Sequence, residues 1–201
     1  TLLIGMGTEL SFKAAILMIF AHALYKATLF MVAGSIDHEC GTRDITKLRG
    51  LRKYMPWTFF AAALAALSQA GFPPFKGFLA KEYFYNSALD HKMTLLIICA
   101  AFTANILLFV LAFKIGFHPF MGKLDPEHKI QAHEAPWTML FGPVSLASLG
   151  LIFGIFPTLG SRYILGPALS TFSGLFHPVE LKLWHGFNTA LILSLVTLAT
   201  G

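Results

Sequence analysis

Charged residues are scarce in this sequence. Only 12% of its 201 residues are charged, whereas 56% are hydrophobic and the mean hydropathy is +0.67. A soluble domain typically has about 25% charged residues, so this composition excludes a soluble globular fold. The net charge of +5 is carried by short segments between apolar runs, which indicates loop anchoring at a lipid bilayer and no nucleic-acid surface.

Cysteine is also rare, which excludes a disulfide framework. Cys40 falls in a predicted loop and Cys99 inside a predicted helix, so they are not placed to pair. His128, His133 and Glu134 share one loop but lack metal-ligand spacing, and we expect neither a metal site nor a cofactor. No signal-peptide pattern is present, and we expect the chain to be an internal segment because it lacks an initiator Met and ends in an apolar run.

Long apolar runs are what the sequence does have. A crossing helix needs about 20 apolar residues, because the hydrocarbon core is about 30 Å thick. The sequence therefore predicts an all-α integral membrane fold, one bundle over 1–201 with about five transmembrane segments, joined by polar loops over 37–56 and 118–136. Apart from the second, the predicted crossings run from about Ser11 to Ile36, from Met93 to about Phe117, from Trp137 to Phe156 and from about Leu181 to the end.

The second predicted crossing, residues 57–89, is interrupted. Two apolar half-helices, 57–70 and 77–89, flank a segment that contains Pro73 and Pro74 between Gly71 and Gly77. Adjacent prolines remove two backbone donors and glycines tolerate unusual dihedrals, so this pattern predicts one discontinuous helix broken inside the membrane. Such breaks mark ion pathways in transporters, whereas a re-entrant turn at the membrane surface is the alternative.

The first crossing places two protonatable side chains, His22 and Lys26, on one helix face near its middle. A lysine at the centre of a membrane helix costs about 2.5–3.5 kcal/mol on insertion scales, so it normally faces the bundle interior or a wet cavity. Lys26 is far from either end for snorkelling, and a packing role for His22 stays open. The pair indicates proton handling, since histidine titrates near neutrality.

Lys81 is the second candidate, about one turn into the half-helix that follows the break. A lysine here is placed to exchange protons with water that enters at the break, whereas an interfacial Lys81–Glu82 pair is the alternative. Lys76 lies in the break itself, and we expect it to be solvated.

Several motifs of this chain resemble one family. The runs in question are 22–35 (HALYKATLFMVAGS), 50–56 (GLRKYMP) and 71–82 (GFPPFKGFLAKE). Together they resemble the antiporter-like subunits shared by Mrp-type cation/proton antiporters and respiratory complex I. Two more, 36–44 (IDHECGTRD) and 184–188 (WHGFN), are most similar to the large A subunit of the Mrp complex.

The resemblance implies roles for the candidate residues. Lys26 corresponds to a buried protonatable lysine in the middle of the membrane, Lys81 to its partner after the broken helix, and His22 to a relay between hydrated segments. Complex I relatives often have a second histidine one turn before the first, whereas this chain has Met18 there. The sequence therefore departs from a two-histidine relay.

The implied function is proton-coupled transport of Na⁺ or another monovalent cation. The chain would act with other membrane subunits, as a multi-pass protein of a bacterial plasma (inner) membrane. A carrier of this kind is not an enzyme, because it makes and breaks no covalent substrate bond. The alternative is a proton-translocating subunit of a complex I-type NADH:quinone oxidoreductase or membrane-bound hydrogenase. The 36–44 and 184–188 stretches favour the antiporter.

Overall fold

The computed structural model describes residues 2–123, 132–173 and 189–200, and within these ranges it is helical and contains no strand. Short 3-10 turns at Leu51–Lys53 and His118–Phe120 and a π turn at Ser161–Leu165 accompany the α-helices. The α-helices are α1 (Leu2–Gly5), α2 (Glu9–Cys40), α3 (Pro56–Ala70), α4 (Lys76–Leu89), α5 (Thr94–Gly116), α6 (Trp137–Ile155), α7 (Pro157–Gly160), α8 (Gly166–Ser173) and α9 (Thr189–Thr200).

Three of the described helices, α2, α5 and α6, are long and apolar enough to cross a membrane. Their bounds lie close to the first, third and fourth predicted crossings. The shorter apolar helix α9 falls within the fifth, whose first residues, from Leu181, lie outside the described ranges. The predicted all-helical class is therefore confirmed, whereas the number of crossings stays a prediction.

Helix α2 is the central element and packs against α3, α4 and α6. Its first turn is fixed by a capping box: the Ser11 backbone N–H donates to the Thr8 hydroxyl at 3.1 Å, and the Thr8 N–H donates to the Ser11 hydroxyl at 3.0 Å. It ends at Gly41, whose φ of +67° is the left-handed conformation that closes many helices.

The described helices have both buried and exposed apolar surfaces. The buried cluster around α2 is rich in alanine and leucine, which allow close helix approach; it includes Ala14, Leu17, Ala21, Ala65 and Leu79. Large apolar side chains point outward elsewhere, among them Phe30, Leu95, Leu107 and Phe141, each more than 60% exposed. An outward surface of this kind fits a hydrocarbon environment.

Polar contacts join α4 to its neighbours α5 and α9. The Asn105 side-chain amide of α5 donates to the Tyr85 hydroxyl of α4 at 3.0 Å, and that hydroxyl lies 3.2 Å from the Thr197 hydroxyl of α9. Asn105 thus makes the interhelical hydrogen bond that suits a polar residue in the middle of a membrane helix. These hydrogen bonds link α4 to α5 and α9.

Candidate functional site

The predicted break lies between α3 and α4. Helix α3 ends at Ala70, one turn of non-helical chain follows, and α4 begins at Lys76. Gly71 has φ +87°, and its N–H donates to the carbonyls of Leu67 and Ser68, each at 3.1 Å. These bonds satisfy part of the last turn of α3, as a glycine C-cap does. The helix bounds agree with the predicted half-helices, whereas the depth of the break in a membrane stays a prediction.

Lys81 binds a free carbonyl at the end of α3. Its ammonium Nζ donates to the Ala70 carbonyl at 2.8 Å, and the residue is only 7% exposed. The carbonyl end of a helix carries partial negative charge, so a cation is favoured at this position. Lys81 therefore bridges the two halves of the break, and its amine lies where the main-chain ladder is interrupted.

Glycines make the approach of these helices possible. An added Cβ on Gly71 would lie 2.8 Å from Cδ of Lys81, so the lysine stem rests directly on the glycine. A Cβ on Gly77 would lie 1.8 Å from the Ser68 carbonyl oxygen, which shows how closely α4 crosses α3. A Cβ on Gly154 of α6 would lie 2.0 Å from the Pro74 carbonyl oxygen. The break is thus enclosed by main chain from two sides.

Lys76 contradicts the expectation of a solvated side chain. Its exposure is 0%, and among the described residues its Nζ has no hydrogen-bond partner. The chain folds back so that α2, α6 and α7 cover the first turn of α4, which sequence spacing alone does not reveal. Sequence reasoning therefore missed a second buried amine at the break.

Lys26 is half-buried and lines a cavity of about 540 Å³ between α2, the end of α5 and the loop after α2. The same cavity is lined by Asp37 and Arg43, whose side chains form an ion pair with Nε–Oδ2 of 2.8 Å. Asp44 follows Arg43 in the loop, and hydrogen bonds from the Thr46 hydroxyl and backbone N–H lower the pKa of the Asp44 carboxyl. Lys26 therefore faces a space that extends towards a charged loop.

His22 lies one turn before Lys26 on α2 and is exposed on the described bundle. Its Nδ1 is 3.0 Å from the hydroxyl of Tyr25, a residue that is 7% exposed. Within residues 2–123, 132–173 and 189–200, no hydrogen bond or ion pair joins His22, Lys26 and Lys81 to one another. The structure therefore places the two lysines in separate settings and His22 on an outer face.

A buried carboxylate at the loop end of α2 was not singled out by sequence reasoning. The Glu39 side chain is 2% exposed, and its two oxygens lie 2.9 Å from Nδ1 of His38 and 2.8 Å from Nδ1 of His133. Next to His133, Glu134 accepts the backbone N–H of Trp57 at 2.7 Å and the Thr58 hydroxyl at 2.6 Å. The loop before α6 thus holds the end of α2 and the start of α3 together. The sequence signal that could have indicated this carboxylate is the 36–44 motif (IDHECGTRD), which contains Glu39.

Taken together, the described residues form a helical bundle with helices long enough to cross a membrane and with lysines buried at a helix break. This arrangement defines a class of membrane protein that places protonatable groups inside its bundle. Residues 1–115 match the family described as "NADH:quinone oxidoreductase/Mrp antiporter, TM". The match covers more than half of the chain, and the chain belongs to that family, as the sequence motifs predicted.

Individual relatives point to one branch of this family. The chain is 40% identical over 205 residues to the A subunit of the Na⁺/H⁺ antiporter of Alkalihalophilus pseudofirmus, covering 94% of this chain and 25% of that protein. It is 37% identical over 196 residues to the A1 subunit of the Na⁺/H⁺ antiporter of Staphylococcus haemolyticus, covering 92% of this chain and 24% of that protein. The chain therefore spans about a quarter of the length of these curated relatives.

A solved structure shares the fold. A chain of the Mrp complex from Dietzia sp. DQ12-45-1b matches with a TM-score of 0.82 and 30% sequence identity, covering 98% of this chain and 21% of that chain. The resemblance to Mrp-type antiporter subunits is confirmed by these likenesses.

Proposed function

We propose that this chain is part of the ion-translocating unit of a proton-coupled monovalent-cation antiporter, working with other membrane subunits in a bacterial plasma membrane. The cation is Na⁺ or another monovalent ion. The chain crosses the membrane about five times, with α3 and α4 as the discontinuous crossing. The names of its relatives favour this function over a redox-driven pump.

The observation that carries the proposal is the buried Lys81 ammonium on the Ala70 carbonyl, at the break between α3 and α4. A charge enclosed in a membrane bundle is costly, and lysine is retained there when it takes part in transport. Because an amine can lose its proton and regain it, Lys81 can pass protons while the main-chain carbonyls at the break accept hydrogen bonds.

Lys26 extends the same function towards the loop end of α2. Its cavity gives water and protons a route from the side of the Asp37–Arg43 pair to the middle of the helix. His22, one turn away, is a relay on the outer face of α2, where the rest of a protein four times as long has room to pack. The three groups are then successive stations of one proton path, completed by segments beyond this chain.

The experiment uses the full-length subunit in its assembled complex, in everted membrane vesicles of a host without its own cation/proton antiporters. We expect an imposed pH difference to collapse on addition of Na⁺, K⁺ or Li⁺, and Lys26→Met to reduce that response about tenfold with the complex still assembled. A redox-driven pump would instead build a pH difference only with an electron donor and would not respond to the cations. That second result would overturn the proposal.

A further inference from the structure

Lys76 is the one charged residue of the break for which the proposed function has no role. It is the first residue of α4 and has 0% exposure. Its Nζ lies 5.7 Å from the centre of the Phe20 ring, and an added Cβ on Gly160 would lie only 2.8 Å from Nζ. The Phe20 ring in turn packs edge-on against Phe153 at 5.2 Å between centres. The amine is thus enclosed by aromatic rings and a glycine.

Packing does not explain a lysine here. In the described part of the chain, no oxygen or nitrogen accepts a hydrogen bond from Nζ, and a single cation–π contact replaces only part of the lost hydration. The start of a helix also carries partial positive charge, so α4 itself disfavours a cation at its first residue. Methionine or leucine would fill the same space without burying a charge. The amine must therefore contribute something other than stability.

The two buried amines of α4 have different surroundings. Lys76 and Lys81 are five residues apart, so on a helix with 100° per residue they point about 140° apart. Lys81 donates to a carbonyl at the end of α3, whereas Lys76 points towards α2 and α7 and, among the described residues, has no acceptor. Lys81 is therefore placed to hold a proton, and Lys76 is placed to receive a proton and release it.

We propose that Lys76 is a further proton-carrying residue, so that the broken helix passes protons through two amines on opposite sides of its first turns. This inference rests on the proposed function. In the step, one proton leaves the Lys81 ammonium, passes along a chain of hydrogen-bonded waters around α4, and bonds to the free electron pair of the Lys76 amine. Lys81 becomes neutral, Lys76 becomes charged, and no electrons are exchanged. Lys76 then releases the proton to water admitted at the Phe20 ring.

The test compares substitutions at Lys76 in the full-length subunit of the assembled complex. Lys76→Met keeps the length and apolar stem, and Lys76→Arg keeps a charge over the ring but cannot release its proton. We expect both to lower cation-dependent collapse of the pH difference at least about tenfold, with a normal amount of complex in the membrane. Lys92→Met, on an exposed lysine just beyond α4, is the matched control and should leave the rate unchanged.

Gly160→Ala provides a second variant that keeps the lysine. Its new Cβ would displace Nζ, so we expect slower exchange with the rest of the chain unchanged, and no further loss when it is combined with Lys76→Met. If Lys76→Met does not assemble, Gly160→Ala alone decides: unchanged exchange would overturn the inference. Exchange within twofold of the unsubstituted complex in either Lys76 variant would overturn it too.

Lys81→Met is measured in parallel to separate this inference from the proposed function. If Lys81→Met loses exchange and Lys76→Met keeps it, only the role of Lys76 is wrong. If neither variant loses exchange, the proposed proton path is wrong as well.

Discussion

Gly71→Ala tests whether the position of the Lys81 amine matters for transport. The glycine lies at φ +87° and directly beneath the lysine stem, where an added Cβ would be 2.8 Å from Cδ of Lys81. We expect this small substitution to slow cation/proton exchange strongly, although position 71 itself carries no titratable group.

The magnitude follows from two separate effects. The left-handed conformation costs a non-glycine residue about 1–2 kcal/mol. Carbon atoms pack at about 3.5–4.0 Å, so the Lys81 stem must also withdraw by about 0.7 Å or more. Displacement of that size would stretch the present 2.8 Å bond from Nζ to the Ala70 carbonyl beyond the usual hydrogen-bond range. A hydrogen bond from a charged group contributes about 1.5–3 kcal/mol, which corresponds to about a tenfold change or more.

Gly41→Ala is the matched control for the backbone effect. Gly41 also ends a helix in the left-handed conformation, with φ +67°, but among the described residues no atom lies within 4 Å of the position that its Cβ would take. Both alanine variants should lower the thermal midpoint of the purified complex, Gly71→Ala by more because it also disturbs the Lys81 hydrogen bond, whereas only Gly71→Ala should slow the collapse of the pH difference in vesicles. Equal exchange rates in the two variants would show that the contact between Gly71 and Lys81 does not position the amine.

Other predictions concern the packing around the site. Glu134→Ala removes the side-chain cap from the start of α3 and should destabilise the purified complex by about 1–2 kcal/mol in thermal unfolding, whereas an unchanged midpoint would refute that role. Gly77→Ala should prevent assembly, because its Cβ would overlap the Ser68 carbonyl, and a normal amount of complex in the membrane would refute the packing described here. His133→Ala should also reduce complex abundance by removing one partner of the buried Glu39 carboxylate. Glu39→Gln in the same chain should restore part of it, and a further drop would contradict this explanation.

The helices and the break followed from sequence because each has a local cause. Pro73, Pro74 and the glycines on either side interrupt a helix wherever they occur in an apolar run, and α3 and α4 end and begin within a residue of the predicted positions. The hydrogen bond between Lys81 and the Ala70 carbonyl was not predicted, because it depends on how α4 turns back over the end of α3.

Burial was harder to predict than helix formation. Lys76 was expected in solvent because it lies between two helices, yet α2, α6 and α7 enclose it. His22 shares a helix face with Lys26 in sequence, but that face is partly the outside of the described bundle. The Glu39–His133 contact joins residues far apart in the chain, and sequence spacing carries no signal for such a pair.

The most direct test of the whole account is the rate of cation/proton exchange when Lys81 is replaced in the intact complex. Lys81→Met keeps a long apolar stem but cannot bind a proton, and Lys81→Arg keeps a charge that it cannot release. The measurement is the collapse of a pH difference on cation addition, with the amount of complex determined in the same vesicles. We predict normal assembly and at least about a tenfold loss of exchange in both variants. Near-normal exchange by Lys81→Met would contradict the account and leave the broken helix as a structural feature without a part in proton transfer.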